Sequence, residues 1–256
     1  MTRLESRTPT LKLLLTPLLV TAMLAAIYAY INSTPATLNE QGVLTRDFLQ
    51  SRLVRHVEIV AIAFAIAALI GLPVGVLLTR VPRPLRIPAL AVASLGQAVP
   101  SVAVLALAFT VTGLGVKPTV FALVVYALLP ILRNTIVGLE GVDRAAVEAA
   151  RGMGMTAWQS LRRVQLPLAS PIIVAGLRTS LVLVVGTATL GNFIGGGGLG
   201  DVIDSGLTAD PVSGPRIVLV GTGMVAGLAL LLDWGMGLAA RAVVPESLTE
   251  RRRSAE

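Results

Sequence analysis

The chain has 256 residues, of which 54% are hydrophobic and only 14% charged, where an ordinary soluble domain carries about 25% charged residues. It has no cysteine and one histidine, His56, which excludes disulfides, thiolate metal sites and histidine-rich metal centres. A formal charge of +7 would raise nucleic acid as a partner of a soluble protein. Here the arginines flank apolar runs, so the charge reads as membrane topology and no nucleic-acid partner is expected.

Six apolar segments follow in chain order, at 11–31, 57–79, 87–111, 119–139, 171–194 and 217–240. Each is long enough to cross a hydrocarbon core that needs about 20 helical residues. Backbone groups in lipid must be satisfied internally, so the expected fold is all-α, a polytopic membrane protein with six transmembrane helices. The first segment has the basic start of a signal peptide, with a weak cleavage site near Ala36. Its apolar stretch is longer than an ordinary signal core, so it is expected to be retained as a helix. Residues 32–55 read as a polar stretch. His56 is expected at a helix start near the interface, beside Arg55 and Glu58, in a hydrogen-bonding role.

Lys and Arg set the orientation. Arg3, Arg7, Lys12, Arg80, Arg83, Arg86, Arg133, Arg144, Arg151, Arg162, Arg163, Arg241, Arg251, Arg252 and Arg253 fall on one side, and Arg46, Arg52, Arg55, Lys117 and Arg216 on the other. Both termini are therefore expected in the cytoplasm. The domain reading is an N-terminal helix and external linker at 1–55, a transmembrane core at 56–241 and a basic cytoplasmic tail at 242–256. Gly71-x-x-x-Gly75 and Gly223-x-x-x-Gly227 offer small faces for close helix packing.

The connection at 140–170 is longer than the other loops on its side and is patterned. Alanines 145, 146, 149 and 150 favour a helix, and Gly152 and Gly154 interrupt it. Thr156 can cap a second short helix carrying Trp158, which Leu166 and Pro167 are expected to stop. The product is a helix-turn-helix elbow with an exposed apolar face suited to a partner or to lipid.

The order Glu148-Ala149-Ala150, Gly154, Leu166-Pro167 resembles the EAA motif of the permease subunits of bacterial ATP-binding-cassette importers, with Val164 where isoleucine is usual. The stretches Ala127-Leu-Leu-Pro-Ile-Leu-Arg-Asn-Thr135, Glu148-Ala-Ala-Arg-Gly-Met-Gly-Met-Thr156, Gly186-Thr-Ala-Thr189 and Gly198-Leu-Gly-Asp201 are similar to its osmoprotectant branch, the glycine betaine, carnitine and choline permeases. The resemblance covers roughly 56–241. It implies a five-helix importer core working by alternating access, in a bacterial cell membrane. It implies that Glu148, Ala149, Ala150, Gly154, Trp158, Leu166 and Pro167 form a coupling helix for a separate ATP-binding subunit. It further implies a second permease subunit, identical or paralogous, and an extracytoplasmic substrate-binding protein, with membrane lipid around the helices.

No Walker lysine motif exists, so ATP hydrolysis is expected in a partner, and no cofactor or metal is expected. The glycines at 195–200 formally satisfy G-x-G-x-x-G, but they follow an apolar span rather than a strand and read as flexible backbone. An ion-coupled secondary transporter is disfavoured because Glu58 and Asp233 lie toward helix ends. An intramembrane enzyme is disfavoured because the spans hold no acid–base cluster. Gln97, Pro100, Ser101, Thr187, Thr189 and Asn192 place neutral polar groups or proline at membrane depth and are candidates for the substrate path, with plain interhelical hydrogen bonding as the alternative. Arg178 and Asp233 lie at similar depth and are expected to pair.

Overall fold

The computed structural model describes residues 8–33 and 35–243. Arg3, Arg7 and the basic tail from 244 onward, with Arg251, Arg252 and Arg253, lie outside the described residues. Among the described residues, eleven α-helices follow one another. They are α1 (Thr8–Ile31), α2 (Leu38–Val43), α3 (Arg46–Leu78), α4 (Arg83–Ala98), α5 (Ser101–Thr112) and α6 (Val116–Glu140). Then come α7 (Arg144–Gly152), α8 (Ala157–Ser160), α9 (Leu166–Thr187), α10 (Leu199–Leu207) and α11 (Gly214–Val243). Among the described residues, five helical stretches are long and apolar enough to span a membrane: Leu14–Ile31, Arg46–Leu78, Val116–Glu140, Ala157–Ile194 and Gly214–Arg241. The chain is an all-α polytopic membrane protein.

The expected third span, 87–111, is not one helix. Pro84–Ala98 and Ser101–Thr112 are bent by 100° at the break. Pro100 causes it: the residue before a proline is pushed out of the helical region, and Val99 sits at φ −71°, ψ 133°. The count of six spans holds only if this bent pair is taken as one crossing. The stretch 32–55 is not merely polar linker either. It holds α2 and the first turns of α3, which begins at Arg46 rather than near Val57. Helix α2 starts at a capping box, with Glu40 N–H donating to Thr37 Oγ1 (3.3 Å) and Thr37 N–H to Glu40 Oε2 (2.8 Å).

Two compact units divide the chain. The first takes the described part of Met1–Ala61 with Leu105–Val120 and Val185–Trp234. Its core is Leu199, Val202 and Ile217, all fully buried, wrapped by Phe48, Leu49 and Leu53 of α3 and Met224 and Val225 of α11. Helix α1 packs on α11 along the second small-residue face, where Gly227 would bring a Cβ to 3.4 Å from Val20.

The second unit takes Ile62–Val104, Phe121–Val184 and the described part of Gly235–Glu256. Here Gly71 and Gly75 of α3 meet Ile131 and Thr135 of α6, two pairs each four residues apart. Helical residues four apart share a face, so the small face expected from sequence receives a complementary ridge. One turn further, Leu78 joins Leu132 and Ile136, with Ala89, Leu90 and Ala93 of α4 packed against them. Pro130 in α6 has no N–H to give the carbonyl four residues back. That carbonyl, on Tyr126, accepts instead from Gln97 Nε2 of α4 at 2.8 Å. The Tyr126 hydroxyl in turn donates to Val99 O at the α4–α5 break.

Candidate functional site

The elbow is built from local signals. Asp143 caps α7, accepting from Ala145 N–H at 2.9 Å. The helix ends with Gly154 N–H on Arg151 O (2.9 Å) and Met155 N–H on Ala150 O (3.1 Å). These are the two bonds of a Schellman stop, with Gly154 in the left-handed position at φ +80°. Thr156 and Gln159 then form a capping box for α8, through Gln159 N–H on Thr156 Oγ1 (3.3 Å) and Thr156 N–H on Gln159 Oε1 (2.8 Å).

The expected stop at Leu166 and Pro167 is a correction. Residues Leu161–Gln165 form a π-helical turn that runs straight into α9. Leu166 N–H donates to Leu161 O five residues back. The wider turn absorbs a proline that cannot donate, so the chain continues instead of ending. The expected fifth span likewise starts earlier than Pro171, and its last residues, Ala188–Ile194, are 3₁₀ rather than α.

The elbow has two faces. Leu161, with Leu139 and Ala169, is buried, and Val76, Val142, Leu166 and Ile173 pack around it. Ala150 is fully buried beneath α7. On the opposite side Glu148, Ala149 and Gly154 are exposed, Pro167 is half-buried, and Met153 and Trp158 are 70% and 63% exposed. The Arg162 guanidinium lies 6.0 Å from the Trp158 ring centroid. Arg86 of α4 holds the root of the elbow: its Nε donates to Leu78 O (2.9 Å) and its Nη1 pairs with Glu140, the last residue of α6. The elbow thus has an anchored underside and an exposed side on which Met153 and Trp158 are bare, suited to a partner or to lipid.

The polar candidates divide. Gln97, Pro100 and Ser101 belong to the second unit and Thr187, Thr189 and Asn192 to the first. The Gln97 amide is spent on the Tyr126 carbonyl. Thr189 Oγ1 donates to Gly186 O at 2.8 Å, and Thr187 and Asn192 are half-buried. The Arg178 guanidinium lies against α11, where a Cβ on Gly237 would sit 3.7 Å from its Cζ.

His56 does not stand at a helix start, though it does take the expected hydrogen-bonding role. It is fully buried inside α3, and Glu58 is well within the same helix. Its Nε2 lies 3.1 Å from Val185 O, and its Nδ1 accepts from Leu199 N–H at 3.3 Å. The carbonyl must receive a proton and the N–H must find a lone pair, so the ring is the neutral Nε2–H tautomer. One turn earlier Arg52 pairs with Asp201 at 2.7 Å and covers the Phe48 ring at 4.8 Å. Burial pushes the Asp201 carboxyl up despite that partner, and Asp204 adds to the rise. Sequence reasoning missed the Arg52–Asp201 pair, and it missed Glu40 and Arg216. The Thr37-x-x-Glu40 spacing was a usable signal for α2.

Comparison with known proteins adds to this geometry. Residues 71–245 match the family described as binding-protein-dependent transport system inner membrane component. The chain is 40% identical to a carnitine transport permease protein of Listeria monocytogenes over 79% of its own length and 91% of the relative's. It is also 40% identical to a glycine betaine/carnitine/choline transport system permease protein of Bacillus subtilis (strain 168), over 75% and 87%. An osmoprotectant import permease protein of Salmonella typhimurium is 38% identical over 73% and 87%. The fold resembles a chain of the MetNI methionine ABC transporter, with a TM-score of 0.70 at 24% identity over 82% of this chain and 100% of that one.

Proposed function

The chain belongs to the family of binding-protein-dependent transport system inner membrane components, and from that premise we propose that it is the permease of an importer for quaternary ammonium osmoprotectants. It is a transport subunit rather than an enzyme, and an ATPase and a substrate-binding protein are its partners. The substrate class is glycine betaine, choline, carnitine or a close analogue. The carrying observation for the mechanism is the elbow, rooted through Leu161 and Arg86 and bare at Met153 and Trp158. In the proposed cycle Glu148, Ala149, Ala150, Gly154, Trp158, Leu166 and Pro167 receive the push of the ATPase. A second permease subunit completes the path. The elbow and both termini face the cytoplasm of a bacterial cell, and the substrate-binding protein docks on the opposite side.

Gln97, Pro100, Ser101, Thr187, Thr189 and Asn192 are proposed to line the path. Neutral polar groups suit a zwitterion or a permanent cation that must be released again, because no carboxylate holds it tightly. The pairing of Arg178 with Asp233 belongs to the same proposal.

The test is uptake competition among glycine betaine, choline, carnitine and proline betaine in a strain carrying the whole transporter. Competition by at least one of them supports the substrate class; an indifferent uptake rejects it. Reconstitution with and without the ATPase subunit separates an ATP-driven importer from an ion-coupled carrier. The path is tested with single cysteines, since the chain has none of its own. If a water-soluble thiol reagent reaches none of the six positions during turnover, the path lies elsewhere.

A further inference from the structure

The α9–α10 connection joins two elements through four consecutive glycines, 195–198. Three of them, Gly195, Gly197 and Gly198, have φ of +73°, +78° and +99°. Gly198 precedes α10 and has no side chain to cap it. The first N–H of a helix has no partner within the helix. That of Leu199 is taken by His56 Nδ1 from α3, and Gly198 passes so close that a Cβ would lie 3.0 Å from that nitrogen. On the same face of α3, one turn away, Arg52 takes Asp201 in the first turn of α10. The other nitrogen of His56 reaches Val185 in α9. A single buried ring therefore joins the elements on both sides of the glycine run.

The apolar contacts of Leu199 and Val202 with α3 supply cohesion but not register, because apolar attraction is non-directional. The polar contacts supply the register. Arg52 Nη1 reaches Asp201 at 2.7 Å with side chains 37% and 17% exposed, so the pair fixes position across a partly solvated contact. The seat of α10 also sets the wall beside it: Gly200 presses on the Thr189 carbonyl and on Asn192, leaving no room for a Cβ.

We propose that His56 and Arg52 are positioning residues that seat the first turn of α10, and through it Thr189 and Asn192, with the glycines at 195–198 as the pivot on which this seat opens. The part that concerns Thr189 and Asn192 rests on their proposed place in the path; the seat itself does not.

The experiment uses the full-length permease in lipid nanodiscs with a single cysteine in place of Val202, which is fully buried in the seat. The rate of labelling by a water-soluble maleimide reports opening. His56→Leu removes a buried polar contact and Arg52→Gln a partly exposed ion pair, and each is expected to speed labelling about tenfold. His56→Asn keeps an acceptor where Nδ1 stood and is expected to stay within about twofold of the parent. A second reporter replaces Ile131 of α6, also buried but in the other compact unit and away from the contacts of His56 and Arg52. Labelling at Val202 that is unchanged in both variants overturns the proposal. So does acceleration of equal size at Ile131, because the residues would then support the fold in general. So does a His56→Asn variant as fast as His56→Leu. None of these readings involves transport, so a failed path, seen when a cysteine at Asn192 is unreactive during turnover, is a separate result.

Discussion

Arg216 and Glu40 are 176 residues apart in the chain and form a buried ion pair, Nη1 to Oε1 at 2.8 Å, with side chains 8% and 1% exposed. Arg216 also donates to Ile31 O, the end of α1, and Glu40 closes the capping box of α2. One guanidinium thus ties the ends of α1 and α2 to the start of α11. Breaking a buried pair strands a charge and costs about 3–5 kcal/mol. Arg216→Met should therefore lower the melting temperature in detergent sharply. Arg216→Met with Glu40→Gln should recover part of the loss. A double variant no better than the single would show that the pair is not the source of the cost.

Gly154→Asp is expected to uncouple the transporter while leaving membrane insertion intact. The site has open space, with nothing within 4 Å of an added Cβ, so bulk is not the obstacle. The left-handed backbone is part of it: it costs most non-glycine residues about 1–2 kcal/mol, and Asp less than most. The new charge would also stand on the face that carries Met153 and Trp158. Solute uptake and solute-stimulated ATPase activity in the assembled complex are the readouts. Both at parental values would remove the elbow from the coupling role.

Gly75→Val should destabilise the α3–α6 contact. A Cβ at Gly75 would lie 2.7 Å from Thr135 Cβ, and Thr135 is fully buried with its hydroxyl held on Ile131 O at 2.7 Å. Overpacking of this kind costs about 1–3 kcal/mol. Thermal unfolding in detergent measures it. A melting temperature equal to the parent's would mean that the two helices can separate freely there.

Asp210 is expected to contribute to acid sensitivity in the α10–α11 turn. Its carboxylate is held well below the usual range by the Ser213 hydroxyl first, then Ser213 N–H (3.1 Å), Asn39 Nδ2 (2.8 Å) and Val212 N–H (2.9 Å). A depressed folded value means that the carboxylate stabilises the fold above the unfolded pKa of about 3.9, and that this is lost as the pH falls toward the folded value. The parent should melt higher than Asp210→Asn at pH 7, and the gap should begin to narrow below about pH 4. A gap that stays constant down to pH 3 would contradict the assignment.

The proposed pairing of Arg178 with Asp233 predicts non-additivity. Arg178→Leu and Asp233→Leu should each reduce the yield of folded protein, and the double variant should recover part of it, since no charge is then stranded. Strictly additive losses would leave snorkelling of the long arginine side chain as the account of Arg178.

Much of this molecule was readable in one dimension because its determinants are local. Long apolar runs specify spans whatever surrounds them, since lipid leaves the backbone no other partner. The elbow is local too: Asp143, Gly154, Thr156 and Gln159 act on their own neighbours within a few residues. Tertiary structure decided what depends on distant partners. Pro100 signals a break, but only the fold shows a 100° bend stitched by Gln97 and Tyr126 to a carbonyl that Pro130 leaves free. Pro167 signals a stop, yet the π turn carries the helix through it. His56, Arg52, Glu40 and Arg216 look like interfacial polar residues in sequence. Their roles come from Leu199, Val185, Asp201 and Ile31, brought to them across the fold. A polar side chain at the end of an apolar run is satisfied equally by water or by a buried partner, and only the packing of the helices decides which it meets.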